Sequence, residues 1–389
     1  MKYFNYCTGL TMTSKAFDRL FGGPPRAPET ALEQKHMDLA HSLQDVTEEV
    51  MMRMARHVHA ETGKKDLCLA GGVALNCVGN GKLLREGPFD RIWIQPAAGD
   101  AGGALGAALI GWYQYLDNAR TADGENDSQK GSYLGPEFGA DHIAGYLKQK
   151  GIPAKRLSEE EIPGVVADLI NDQKVVGWYR GRMEFGPRAL GHRSIIGDAR
   201  SPEMQRTINL KIKFRESFRP FAPTVLAERV SDYFEIDRES PYMLLVAQVA
   251  DGVSRKMTPE EQKLTGMEKL AVVRSEIPAI THVDYSARLQ SVNANDNPMY
   301  HRMIAEFERK YGCPVIINTS FNVRGEPIVE SPVDAVECFH ASLLDALVLQ
   351  DWILTHNTLH RIFFPLFKLY LRSLQSVRSE ALMESSSER

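Results

Sequence analysis

Asp66-Leu-Cys-Leu-Ala-Gly71-Gly72-Val-Ala-Leu-Asn76, with Arg91-Ile-Trp-Ile94 and Pro96-Ala-Ala-Gly99-Asp100-Ala-Gly102-Gly103 after it, decides the fold class. Each run opens as a short apolar strand and breaks at glycines into a helix-forming stretch, the second being Ala104–Trp112. Repeated strand, glycine turn and helix is the alternation of an α/β layer architecture. Glycines at such a turn let backbone N–H groups come close to a phosphate or ribose, and a helix N-terminus favours the anion. Gly71, Gly72 and Asn76 are therefore candidate nucleotide contacts, with a tight turn holding no ligand as the alternative. Asp100, a carboxylate between glycines, suits a divalent metal bound with phosphate, or else caps the helix that follows.

Upstream, residues 29–62 carry Met37, Leu39, Leu43, Val46, Val50, Met51, Met54 and Val58 at spacings of three and four, which predicts one or two helices. Met1-Lys-Tyr-Phe-Asn-Tyr-Cys7 resembles an edge strand entered from the middle rather than a domain start. Downstream, residues 117–135 are rich in Asp, Asn, Gly and Ser and form the best candidate boundary. Past them, Ile162–Asp172 reads as a helix; Lys174–Tyr179, Tyr242–Val249 and Pro314–Asn318 read as strands. Residues 251–275 read as a charged, exposed excursion, and 334–340 with 343–349 complete this part. The tail, His360-Arg-Ile-Phe-Phe-Pro-Leu-Phe-Lys-Leu-Tyr-Leu-Arg372, is apolar with scattered cations; packing on its own domain is preferred to membrane contact, and Pro365 interrupts a continuous helix.

A chain of 389 residues is long enough for two or three domains. Its 46 basic and 50 acidic residues leave a net charge of -4, which gives no footprint for nucleic acid. Attraction for anions must then be local. Cys7, Cys68, Cys77, Cys313 and Cys338 lie far apart without a C-x-x-C pair, so free thiols in a reducing cytoplasm are expected. No apolar run reaches the roughly 18 residues of a membrane span.

Three segments carry the chemistry. Gly181-Arg-Met-Glu-Phe-Gly-Pro-Arg188-Ala-Leu-Gly-His192-Arg193-Ser194 sets three arginines and a histidine among glycines. Arginine forks match phosphate in a bidentate way, and glycine lets a ligand lie near the main chain. A loop salt-bridged through Glu184 and Asp198 is the alternative. Lys213 and Arg215 stand in a K-x-R spacing with Arg219 beyond; Ser320 and Asn322 stand in an S-x-N spacing after Asn318. If both segments are strands, each pair points to one face, with cations on one wall and neutral donors on the other. Such walls would cradle the phosphates of a nucleotide or an acyl phosphate, and cations there would offset charge building on phosphorus. His282-Val-Asp-Tyr-Ser-Ala-Arg288-Leu-Gln290 alternates like a further wall strand or an exposed edge.

With these runs in hand the chain resembles a carbamoyltransferase of the NodU/CmcH type over residues 1 to about 355. The resemblance rests on 69–76, 95–102, 186–194, 218–223 and 318–322, in that order. It implies a partial actin/sugar-kinase-like ATP-binding domain at 1–115, a linker at 116–135 and a YrdC-like α/β domain with a twisted mixed sheet at 136–355. Residues 356–389 have no counterpart in it. By the same resemblance, carbamoyl phosphate and ATP react in the YrdC-like domain to give carbamoyl-adenylate. The carbamoyl group then passes to a hydroxyl of a small-molecule acceptor, aided by a divalent metal, iron-type or Mg. Lys213, Arg215, Arg188 and His192 take catalytic places; Arg219, Asn318, Ser320 and Asn322 complete the adenylation cradle. Gly71, Gly72 and Asn76 fall on the adenosine side of the transfer site, and Asp100 matches the last metal ligand.

Two departures stand out. Family members begin with a longer segment supplying an H-x-x-x-H metal pair, which this sequence does not carry ahead of the Gly71-Gly72 turn, so the ATP-binding domain is expected to be half present, with a partner chain as one source of the rest. Tyr285 stands where the family usually has glycine. Two other readings share the cradle: a threonylcarbamoyl-adenylate synthase-like enzyme of tRNA modification, and a non-catalytic nucleotide-binding subunit.

Overall fold

The computed structural model describes residues 2–7, 9, 11–27, 30–121 and 127–356. The apolar tail and part of the 116–135 linker lie outside the described residues. The chain divides into two compact units, 1–47 and 48–389.

The first unit holds α1 (Lys15–Leu20), capped by Ser14, whose hydroxyl accepts from the Ala16 N–H at 3.2 Å. Instead of the expected edge strand there is a single antiparallel bridge, Phe4 to Thr13. One helix, α2 (Gln34–Thr62), accounts for the apolar periodicity and runs on into the second unit. There its Met52 and Ala55 are buried with Leu83 and Phe89.

The strand–turn–helix motifs fold as expected. β1 (Asp66–Leu69) leads through Gly71 to α3 (Cys77–Glu86), and β2 (Arg91–Ile94) pairs with β1 in parallel. Next comes α4 (Asp100–Ile110), which starts four residues earlier than its sequence suggests. Asp100 thus sits inside the first turn, where its carboxylate complements the helix dipole, and Gly99 holds the cap position.

α5 (Ala140–Lys150), β3 (Lys155–Arg156), α6 (Glu161–Asn171), β4 (Val176–Tyr179), β5 (Arg193–Asp198) and β6 (Ala222–Leu226) begin the larger layer. β7 (Leu245–Gln248), β8 (Ser286–Val292), α7 (Pro298–Tyr311), β9 (Val315–Ser320), α8 (Pro332–His340), β10 (Ala346–Leu349) and β11 (Trp352–Thr355) complete it. These strands form one sheet in the order β3-β11-β10-β4-β5-β9-β6-β8-β7. It is mixed: β4 and β10 pair in parallel, as do β6 and β8, and the remaining neighbours are antiparallel.

Its central strands are covered on both faces, which is why β4, β5 and β10 are buried throughout and β4 and β10 read as unbroken apolar runs. α6 presents Ile162, Val166 and Ile170, and α7 presents Tyr300, Met303, Ile304 and Phe307, to a common core. α7 has clear ends: the Asn297 side chain caps it, Pro298 opens it and Gly312, at φ 74°, closes it.

α3 lies against the β7 edge. Asn80 Nδ2 donates to the Ala74 and Leu244 carbonyls at 2.8 and 3.1 Å, and Arg85 Nη1 donates to Val246 O at 3.1 Å. A Cβ on Gly81 would stand 2.4 Å from Val246 O, so only glycine permits this approach. The contact shields an otherwise open edge and fixes the Gly71–Asn76 turn beside the large sheet.

Candidate functional site

The two cation-bearing residues do not lie on a strand. Ile208–Ile212 is a wide helical turn, and Lys213 and Arg215 follow it, separated by Phe214 at φ 48°. That left-handed residue turns the chain sharply and replaces the strand alternation expected from the spacing. Asn209, fully buried, holds the turn closed: its Nδ2 donates to the Ser217 and Arg219 carbonyls at 3.2 and 2.8 Å. Its Oδ1 accepts from Arg215 Nε at 2.7 Å.

Lys213 is 3% exposed and reaches the end of β9. Its ammonium donates to Ser320 Oγ at 3.2 Å, Asn322 O at 3.0 Å and Asn322 Oδ1 at 2.8 Å, and also to the Ser320 carbonyl. Ser320 Oγ donates to Asn322 Oδ1 at 2.7 Å. K-x-R and S-x-N therefore meet through lysine. Burial, with Arg215 adding repulsion, brings the Lys213 ammonium down to about 7.

Three guanidinium groups follow as successive neighbours: Arg215 acts on Lys213, Arg288 on Arg215, and Arg288 again on Arg188. Arg215 lies 5.0 Å from the centre of the Phe221 ring and is lowered to about 10 by burial, then by Arg219 and Arg288. Arg188 is lowered to about 10 by burial and by Arg288. Its Nη2 donates to Leu75 O at 3.4 Å, linking the cradle to the Gly71–Asn76 turn, and its buried Nε has no partner among the described residues. Arg288, on β8, is half-buried, and its side chain forms no hydrogen bond or ion pair among the described residues. Sequence spacing placed it on a wall strand but assigned it no role; only the fold shows that it stands between Arg188 and Arg215.

No carboxylate pairs with Lys213, Arg188, Arg215 or Arg288 among the described residues. Like charges gathered in partly buried surroundings repel one another, and water screens them poorly there. Such a group is unfavourable unless an anion sits among it. Such an arrangement suits a polyanion, and Arg219, which acts on Arg215, is exposed beside it.

The remaining candidates divide into supports and separate surfaces. Asn318 is fully buried; its Nδ2 donates to Ala189 O at 3.1 Å and Gln290 Oε1 at 2.7 Å, and Gln290 Nε2 donates to Leu190 O at 2.8 Å. Asn318 thus props the backbone that carries Arg188. Glu184 does the same from the other side: its Oε1 accepts from the N–H groups of Leu190, His192 and Arg193 at 2.6, 2.9 and 3.3 Å. It serves the main chain rather than the salt bridge expected of it, whereas Asp198 does pair with Arg200, at 2.8 Å. Arg193 belongs to β5, is fully buried, and donates to the carbonyls of Arg180 and Gly181.

His192 stacks on Tyr133, centroids 3.8 Å apart, and lines a cleft of about 1000 Å³ with Asp127, Glu239 and Asp296. None of the four cations lines that cleft, so Arg188 and His192, neighbours in sequence, serve different surfaces. Burial holds the His192 imidazole below its ordinary value.

Gly71, at φ 96°, donates its N–H to Ala98 O at 2.7 Å, and neither it nor Gly72 has an atom near the place of a Cβ. With Asp100 they line an open cleft of about 630 Å³. Asn76 caps α3 through Gly79 N–H at 2.9 Å. Asp100 is exposed, and the described residues contain no group of three His, Cys, Asp or Glu side chains able to hold a metal ion. The donor set present does not fit the metal that the resemblance implies.

Tyr285 adopts φ 64°, a conformation glycine takes without strain. Its hydroxyl offsets part of the cost, accepting from Met257 N–H at 3.2 Å and donating to Arg255 O at 3.0 Å.

Comparison with known proteins identifies the family. The family models described as carbamoyltransferase N-terminus and carbamoyltransferase C-terminus match residues 1–109 and 167–356. A Synechocystis protein, sll1178, is 57% identical over 91% of this chain and 58% of its own length. The nodulation protein NolNO of Sinorhizobium fredii is 40% identical over 84% of this chain and 45% of its own. Nodulation protein U of the same organism is 34% identical, with 80% and 48% covered. The chain thus spans about half the length of the curated relatives it matches. A crystal structure of full-length HypF in the phosphate- and nucleotide-bound form is similar at 18% identity and a TM-score of 0.34, covering 51% of this chain and 22% of that one, too distant to carry an argument. With both halves of the family matched in order, the chain belongs to the carbamoyltransferase family.

Proposed function

We propose that the Lys213 cradle forms carbamoyl-adenylate from carbamoyl phosphate and ATP, as the first half of an O-carbamoyl transfer to a hydroxyl of a small-molecule acceptor. One observation carries this reading: Lys213, Arg215, Arg288 and Arg188, partly buried, neighbour one another in succession with no carboxylate paired to them among the described residues. Only a ligand with several negative charges relieves that repulsion.

The chemistry follows from charge. Water cleaves carbamoyl phosphate to carbamate and phosphate. A carbamate oxygen then attacks the α-phosphorus of ATP, the bond to the bridging oxygen breaks, and pyrophosphate leaves. Negative charge builds on the phosphoryl oxygens during attack, where Arg215, Arg188 and Arg288 stabilise it more than they stabilise the resting substrate. Lys213, with an ordinary value brought down to about 7, gains its proton as the anion arrives, so its charge appears where it is needed. Ser320 and Asn322 orient the ammonium and, once the ligand binds, offer a hydroxyl and an amide to it.

The domain reading of 1–115 and 136–355 as actin/sugar-kinase-like and YrdC-like parts belongs to this proposal, as does transfer of the carbamoyl group in the first part with AMP leaving. No step is assigned to a metal. The test is pyrophosphate release from ATP with carbamoyl phosphate. Wild type is expected to release it, and Lys213→Ala to lose about 100-fold or more, the scale seen when a transition-state donor is removed. No release by wild type, or release unchanged in the variant, contradicts the proposal.

A further inference from the structure

We propose that the imidazole of His282 is the base that takes a proton from the water cleaving carbamoyl phosphate at the cradle. This rests on the cradle's reading as a carbamoyl-adenylate site and adds to it the group that makes the water a nucleophile.

β8 brings the imidazole to the site. Ser286, Arg288 and Gln290 are alternate residues of that strand and share one face. Gln290 holds the backbone beside Arg188, and Arg288 stands between Arg188 and Arg215, so the cradle lies on this face. His282 joins its third member: Nδ1 lies 3.1 Å from the hydroxyl of Ser286, which is 2% exposed. A tight turn allows the contact. His282 N–H donates to Ser286 O at 2.8 Å, Tyr285 N–H donates to His282 O at 3.1 Å, and Tyr285 takes φ 64° between them. That unfavourable backbone persists where its surroundings over-determine it, and here it keeps the imidazole against β8.

The hydrogen bonds fix which ring nitrogen is bare. Ser286 Oγ lies 2.7 Å from Asp284 Oδ1, and a carboxylate only accepts, so the hydroxyl proton points to Asp284. Ser286 Oγ then accepts from His282, which puts the ring proton on Nδ1 and leaves Nε2 its lone pair. Nε2 has no hydrogen-bond partner among the described residues. The same order rules out Ser286 as a nucleophile activated by His282, since its proton is committed to Asp284. Among the described residues, the charged groups acting on the imidazole are Asp284, which is exposed, and Arg288. Burial first, and then Arg288, hold it below its ordinary value against the pull of Asp284, so at pH 7 it is neutral and able to accept.

The water oxygen bonds to the carbonyl carbon of carbamoyl phosphate. The bond from that carbon to the phosphate oxygen breaks, and its electron pair leaves with phosphate. One proton of the water passes to Nε2 and on to the departing phosphate. The other is released as carbamic acid ionises to carbamate, which then attacks ATP. Between the two transfers Nδ1–H stays on Ser286, and the Asp284 carboxylate favours the imidazolium.

Two products separate this step from adenylation: orthophosphate reports cleavage of carbamoyl phosphate, and pyrophosphate reports attack on ATP. With ATP present, His282→Gln is expected to release orthophosphate from carbamoyl phosphate about 100-fold or more slowly than wild type. Given ammonium carbamate instead, the variant should release pyrophosphate at the wild-type rate. Wild-type kcat/KM for orthophosphate should fall in acid with a midpoint below 6.5, and His282→Gln should lack that limb. Asp284→Asn, at an exposed position, removes the charge that favours the imidazolium, so its limb should move to lower pH. No orthophosphate release by wild type overturns the inference. So does an unchanged rate or a retained acid limb in His282→Gln, or loss of pyrophosphate from both substrates in the folded variant. If His282→Gln does not fold, Asp284→Asn decides, and an acid limb it leaves in place overturns the inference. Orthophosphate release by wild type, lost in His282→Gln, with no pyrophosphate from either substrate would support His282 and remove the adenylation reading.

Discussion

The nine-stranded sheet and the β1–β2 pair solve the same burial problem to opposite degrees. In the large sheet, Trp178, Ile195, Ile316 and Leu347 are sealed between layers, and the cation cradle is anchored to that rigid frame through β8 and β9. In the small pair, Trp93 and the whole of α4 remain in contact with water. A region that closes its own core can hold unpaired cations at fixed spacing.

The sharpest way to break this contrast is truncation at matched apolar positions. Phe307→Ala, in the sealed core, is expected to destabilise the protein by about 3–5 kcal/mol. Leu109→Ser on α4 should change stability by less than about 0.5 kcal/mol. Chemical denaturation of both variants decides; equal losses would erase the distinction between the regions.

The second effect concerns pH. The Lys213 ammonium is held at about 7 in the fold, against an ordinary value of 10.5. Between those values the unfolded chain binds the proton that the fold rejects, so stability rises with pH from about 7 to about 10.5. Below 7 the destabilisation is fully present. The gain across the window should be a few kcal/mol at most, on the scale of about 1.4 kcal/mol per unit. Lys213→Met removes the titrating group, and its denaturation midpoint should lack this rise; a parallel pH profile for both proteins would contradict the burial argument.

A smaller effect is expected at Asn209. Asn209→Ala strands the Ser217 and Arg219 carbonyls and frees Arg215, costing about 1–3 kcal/mol of stability. It should also weaken anion binding, which a loss of stability alone would not do. Unchanged binding of pyrophosphate by Asn209→Ala would show that the turn does not position Arg215.

The sequence made the α/β alternation legible because glycine turns and short apolar runs are local signals. β1, β2, α3 and α4 follow from them directly. The cradle was legible as residue types and not as geometry. Lys213 and Arg215 look like alternate positions on a strand, and only the left-handed Phe214 and the Asn209 clasp, which depend on buried long-range partners, bring them together. Arg288 was visible only as a member of a strand, because its meaning lies in its neighbours Arg188 and Arg215. Tyr285 ran the other way: a glycine position by resemblance, it does adopt the backbone of one. Asn318, a ligand contact by resemblance, is fully buried and holds the Ala189 carbonyl, a placement that only the fold reveals.

Calorimetric titration of inorganic pyrophosphate into wild type and Arg215→Met at pH 7.5, in two buffers of different ionisation enthalpy, tests the central claim most directly. The account expects wild type to bind with uptake of a proton by Lys213. Arg215→Met should bind about tenfold or more weakly, the loss of one charge-assisted contact. Equal affinity in the two proteins, or binding without proton uptake, would contradict it.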